Sequence, residues 1–148
     1  MADTKTSDLT ALTGADLDNA VDILPVVDIS VTTLKKITGS QLKAAAQNSQ
    51  SADYTLIITD AFKHILHPVA DDNARTFTIP ANASVAFPVG TVITFLNEQN
   101  TLTIAITTDT LTLVGAGSTG SRTLAENGMA TIIKTDTTRW WISGTGLS

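Results

Sequence analysis

Cysteine is absent from this chain, aromatic residues make up 5% of it, and charged residues only 16%. Each shortage excludes something. Without cysteine there is no disulfide framework and no thiolate metal site. A chain without disulfides must be held by its core or by association with other chains. The usual charged fraction is about a quarter, so hydroxyl and amide side chains carry much of the solubility here. Nine Lys and Arg stand against 14 Asp and Glu among 148 residues, for a net charge of −5. Nucleic-acid binding draws on clustered basic residues that neutralise phosphates. The nine are scattered, so nucleic acid is set aside as a partner. No apolar run approaches the ~20 residues of a membrane helix. The first ten residues, MADTKTSDLT, lack the basic start and apolar run of a signal peptide. The expectation is synthesis in a cytoplasm and no membrane partner.

What the chain does have is alternation. From Thr91 to Ile142, TVITFLN, TLTIAIT, TLTLVG, MATIIKT and RWWIS switch between a large apolar side chain and a small polar one. Period-2 alternation means strands with one face buried and one face wet. Threonine suits the wet face: its branched carbon fits a pleated surface and its hydroxyl tolerates water. Candidate strands are 54–59, 63–67, 75–79, 91–97, 101–107, 110–114, 129–135 and 138–143. Turn signals separate them: DDNA, PANA, PVG, NEQN, GAGSTG and ENG. Short strands at close spacing, with no strand–helix alternation, predict a mainly β fold: an antiparallel β-sandwich or small barrel over residues 53–148.

Residues 1–50 read differently. Leu9, Leu12 and Leu17 stand isolated among polar residues, too little apolar area to fold alone. VDILPVVDISV, residues 21–31, is an extended run broken by Pro25, which suits an edge strand or an arm. TLKKIT, residues 33–38, is a second short strand. Ser40 is a good N-cap, and QLKAAAQ predicts a short helix at 41–47. NSQSA, residues 48–52, reads as a linker. The whole segment is an extended attachment arm with one short helix. Its apolar residues Leu9, Leu12, Leu17, Ile23, Leu24, Val26, Val27, Ile37 and Leu42 are the candidate partner-binding positions.

Three constellations invite a chemical reading. Gly115 to Gly120 spells G-x-G-x-x-G. A dinucleotide site needs that motif between a strand and a helix. Here Asn127-Gly128 and another strand follow, so a surface loop is expected and no cofactor. His64 and His67 form H-x-x-H. On a strand this odd separation sends the rings to opposite faces, and no metal site is assigned. In Arg139-Trp140-Trp141 the two indoles likewise face opposite ways. One is expected in the core; the other is a contact between subunits or a stacking surface for sugar. Asp71-Asp72 sits in a turn, where Asp bonds to backbone. No nucleophile elbow G-x-S-x-G occurs. No catalytic residue is assigned, and the chain is read as a non-enzyme. The sequon Asn82-Ala83-Ser84 matters only on a eukaryotic secretory route.

The stretch SDLTALTGADLDNAVDILPVVDISVTTLKKITGSQLKAA resembles the N-terminal segment of many bacteriophage virion proteins, in which D-x-L-P-V-V-D precedes K-K-I-T-x-x-x-L. YTLIIT, HILHP, TIPANASVAFPVGTVITFLN, LTLVGAGSTGSRTLAENGMATIIK and RWWISGTG are similar to a small β domain of phage fibre and decoration proteins. The resemblance implies a structural protein on the virion surface, made in the host cytoplasm. Residues 1–50 would anchor it to a major capsid or tail protein, and residues 53–148 would form a projecting homotrimer. With one β domain and no shaft repeats, a short capsid decoration or head-fibre protein is expected. The alternatives are a tail fibre or adaptor, or a module that binds host-surface glycan.

Overall fold

The computed structural model describes residues 23–28, 33–38 and 45–148. The chain forms two compact units, Met1–Ala44 and Ala45–Ser148. In the first, strands β1 (Ile23–Asp28) and β2 (Thr33–Thr38) pair antiparallel, with Ile23 opposite Thr38 and Asp28 opposite Thr33. The two runs read as extended are therefore a hairpin. Pro25 lies within β1, opposite Lys36. A strand with only one partner tolerates a missing backbone donor. The candidate partner-binding residues Ile23, Leu24, Val26, Val27 and Ile37 lie on this hairpin. Leu9, Leu12, Leu17 and Leu42 lie outside the described residues.

The second unit holds β3 (Gln47–Ser49), β4 (Tyr54–Thr55), β5 (His64–His67), β6 (Arg75–Ile79), β7 (Val92–Asn97), β8 (Leu102–Ile106), β9 (Thr110–Leu113), β10 (Arg122–Asp136) and β11 (Arg139–Leu147). Consecutive strands from β3 to β8 do not pair with one another. The odd-numbered strands form one parallel ladder, β3–β5–β7, and the even-numbered form another, β4–β6–β8. Each of β4, β5, β6 and β7 thus serves as the crossover between two strands of the other ladder, so three coils stack like a short solenoid. The long strand β10 then closes both ladders. Its C-terminal half pairs antiparallel with β7 and its first residues with β8. β11 returns along β10 and pairs in parallel with β9.

The fold is mainly β, as the alternation predicts, but the antiparallel sandwich is overturned: the stacking is solenoid-like. The physical reason is that alternation specifies a strand and its buried face, while pairing direction depends on which strand the following loop reaches. Four local expectations change as well. Of 54–59 only Tyr54 and Thr55 are strand, and a 3-10 turn at Ile58–Asp60 follows. The predicted helix at 41–47 ends in strand, since Gln47 opens β3; residues 41–44 lie outside the described residues. Asn48 and Ser49, read as linker, belong to β3, so the body's first strand begins before residue 53. The ENG turn is instead an irregularity inside β10, where the register with β11 shifts between Leu124 and Met129. Asn127 takes φ 59° there. A Cβ on Gly128 would stand 2.7 Å from the Ala125 carbonyl oxygen, so the strand can bend at this point only with glycine.

The two ladders face each other across one core. Phe77 of β6 and Phe95 of β7, from opposite ladders, have ring centroids 6.4 Å apart. Within each ladder like positions stack: Ile65, Phe95 and Ala130 on one side, Phe77 and Ile104 on the other. Leu102 pairs with Leu124 and Ile93 with Ile132, where β10 closes the end.

Candidate functional site

Polar side chains at inward positions pin the body at three levels. At the first coil, Asn48 Nδ2 donates to Asp60 Oδ1 at 2.9 Å and Tyr54 Oη donates to Asp60 Oδ2 at 2.7 Å. The Ile57 backbone N–H donates to the same carboxylate at 2.9 Å. Asp60 is fully buried. The Tyr54 hydroxyl is held above its ordinary range, first by burial and next by its bond to Asp60. This carboxylate gathers β3, β4 and the 3-10 turn around the solenoid's first edge.

At the second level, His67 Nδ1 and Asn97 Oδ1 are 2.7 Å apart, both residues fully buried. Asn97 Nδ2 donates to the carbonyls of Asn100, Leu124 and Ala125. That fixes the amide, so Oδ1 is the acceptor facing the ring and the hydrogen lies on His67 Nδ1. Asp71 Oδ2 stands 3.2 Å from His67 Nε2. Arg75 grips Asp71 with two donors, Nε at 2.6 Å and Nη2 at 3.0 Å, and Asn73 adds a third at 2.7 Å. The Arg75 bonds, with Asn73 second, hold the Asp71 carboxyl well below the usual carboxylate range. The same contact raises the Arg75 guanidinium.

At the third level, Lys134 is buried on β10. Its Nζ donates to Asn82 Oδ1 at 2.6 Å and to the Phe87 carbonyl at 2.9 Å, and lies 5.4 Å from the centre of the Trp140 ring. The loop between β6 and β7 is thereby tied to β10 and β11. The Asn82 N–H in turn points at the Asp109 carboxylate, 3.2 Å away. The sequon asparagine is a partner of a buried lysine.

These pins are structural fastenings. Asp71, a turn residue by its sequence, also anchors a buried network. For Asp60, His67, Asn97 and Lys134 the sequence alone assigns no such role. The signal for three of them lies in strand parity: His67 follows Ile65, Asn97 follows Phe95 and Lys134 follows Ile132, each at the buried two-residue interval.

The other constellations fall as their local geometry demands. Gly115, Gly117 and Gly120 all have positive φ, at 84°, 69° and 120°. They shape the turn from β9 to β10, and no helix follows the motif. His64 is half-buried on the outer face and His67 is buried on the inner one. Trp140 is fully buried against Phe87, centroids 5.7 Å apart, and Trp141 is half-buried on the outside. Among the described residues no group of three or more His, Cys, Asp or Glu is placed to hold a metal, and no helix is long and apolar enough to cross a membrane.

The outer faces of the two ladders differ. On the β6–β8 side the outward row is Thr76, Thr103 and Thr123. On the β5–β7–β10–β11 side, pairing lines up Leu66, Leu96 and Met129 in one row and Val92, Ile133 and Trp141 in another. Between them runs a row of His64, Thr94, Thr131 and Ser143, with the two threonine hydroxyls 3.0 Å apart. Met129 and Ile133 are 53% and 41% exposed. This apolar outer face is the candidate interaction surface.

Comparison with protein-family models, with curated proteins and with solved structures returns no match.

Proposed function

We propose that this chain is a structural protein of a bacteriophage virion, displayed on the particle surface as a short capsid decoration or head fibre. Residues 1–50 attach it to a major capsid or tail protein, and the β body projects as a homotrimer. It performs no catalysis and is made in the host cytoplasm. The wording of residues 7–45 supports the attachment role. One structural observation carries the display role. The body is a stack with a direction: the chain enters at β3, an edge strand at one end, and β10 closes the other end. Such a stack, pinned inside by Asp60, Asn97 and Lys134, makes a stiff spacer whose first strand β3 and closing strand β10 lie at opposite ends of the body.

The reading is tested on purified particles. Mass spectrometry should find the chain in stoichiometric amounts, and a reconstruction should place the β body outside the shell. Deleting residues 1–44 should abolish incorporation while the remaining body keeps its β spectrum. A chain absent from particles, or incorporated equally well without residues 1–44, defeats the reading.

A second reading, a tail module holding host-surface glycan, draws on the half-exposed indole of Trp141, since an indole face stacks on sugar. A glycan array probed with assembled particles separates the two; no signal removes the glycan reading.

A further inference from the structure

The apolar outer face contradicts the rule by which the rest of the body is built. The opposite outer face shows what a solvated side of this solenoid looks like: threonines in register. Six large apolar side chains in two outward rows, on a chain with so little charge, make a pair of apolar stripes of the kind that marks a contact surface. Beside it Phe62 is 63% exposed. The Phe62 N–H donates to the Val92 carbonyl at 2.8 Å, which sets this residue beside the valine row. Phe62 holds φ 65°, an unfavourable region for a bulky residue, yet its ring gains little burial within its own chain.

Charge and shape select the occupant. None of the ten residues in the three rows is Asp, Glu, Lys or Arg. On a chain of net charge −5, this is a face on which identical copies meet without bringing like charges together. The rows run across the strands, along the direction in which the coils stack. The outer rows lie four residues apart along each strand, about 13 Å, with the hydroxyl row midway. Two apolar stripes flanking the polar stripe of His64, Thr94, Thr131 and Ser143 suit three parallel solenoids around an axis. The central stripe faces the axis, and the leucine stripe of one copy meets the valine–isoleucine stripe of the next. The sheet face covers roughly 400 Å² from strand spacing and rise. That is about half of the ~800 Å² each partner gives a standard interface, and the rim residue Phe62 extends it.

We infer that the β5–β7–β10–β11 outer face is the self-association surface of this chain, closing three copies by heterologous contact of its two apolar stripes. The inference rests on the trimeric reading above and names its interface. Met129 and Ile133 lie on the same strand, so Met129 of one copy meets Ile133 of the next at the same level.

The absence of native cysteine makes a clean test in the full-length chain. Light scattering at micromolar concentration should give three chain masses for the unaltered protein. Ile133→Glu and Met129→Glu, at exposed positions, should reduce the mass to one chain with unchanged circular dichroism. Thr103→Glu on the opposite face should leave three. The double variant Met129→Cys/Ile133→Cys, oxidised, should run as covalent trimers on a denaturing gel. A monomeric unaltered protein overturns both the trimer and this inference. A trimeric protein that stays trimeric with Ile133→Glu overturns the inference alone. Covalent dimers from a single-cysteine variant in a two-chain species show an isologous dimer and overturn it. So do cross-links from this face to residues 1–44 within one monomer.

Discussion

Lys134 Nζ lies 5.4 Å from the centre of the Trp140 ring, and both side chains are almost fully buried. No carboxylate lies within ion-pair distance of this ammonium among the described residues. Two oxygens, Asn82 Oδ1 and the Phe87 carbonyl, and the indole face take the place of water. The arrangement joins the β6–β7 loop to the strand that closes the solenoid. Removing the ammonium leaves two buried oxygens without a donor. Lys134→Ala should therefore lower stability by about 2–5 kcal/mol, and Lys134→Met, which keeps the stem, by less. Urea unfolding followed by tryptophan fluorescence measures both; equal losses for the two variants would show that packing alone matters.

Asn97 is the fastening between the parallel ladders and their end strand. Its amide serves three carbonyls, two of them on β10. Asn97→Leu has the right size and no donors, and should cost about 2–4 kcal/mol. Hydrogen exchange should accelerate first at residues 122–128. Uniform acceleration across the body would mean that the end does not open separately.

Acid should loosen the Asp71 cluster. The folded carboxyl sits below its unfolded value because Arg75 and Asn73 bond the charged form. A depressed folded value gives stability that is complete above the unfolded carboxylate range and is lost as pH falls through that range toward the folded value. The urea midpoint should drop between about pH 5 and pH 3, and the drop should be smaller in Asp71→Asn. An identical pH profile in the variant would place the acid sensitivity elsewhere.

Phe77 touches Tyr54, His67 and Phe95 at centroid distances of 6.2, 6.3 and 6.4 Å. It is one of the side chains through which the two ladders meet. Phe77→Ala should cost about 3–5 kcal/mol, and Ile104→Val, beside it in the ladder, about 0.5–1.5 kcal/mol. Thermal unfolding by circular dichroism ranks them, and the reverse order would relocate the centre of the core.

Alternation by itself determined that this chain is a β protein and which side chains face inward. From Thr91 to Ile142 nearly every apolar residue at a buried parity is buried, because a strand's side chains alternate whatever its partner is. The opposite facing of His64 and His67, and of Trp140 and Trp141, followed from the same local rule. The glycine motif was legible as a loop because no helix-forming sequence follows it. Parity also carried His67, Asn97 and Lys134 inward, but their partners Asp71, Leu124 and Asn82 come from other elements. Strand direction was not legible either. Thr- and Ile-rich strands pair equally well both ways, and the choice of two parallel ladders was made by where each loop delivers the next strand. The ENG segment reads as a turn locally, and β7, β8 and β11 pairing on either side keeps it within one strand. The apolar outer face shares this origin: Leu66, Leu96 and Met129 are far apart in sequence, and only strand pairing brings them into one row.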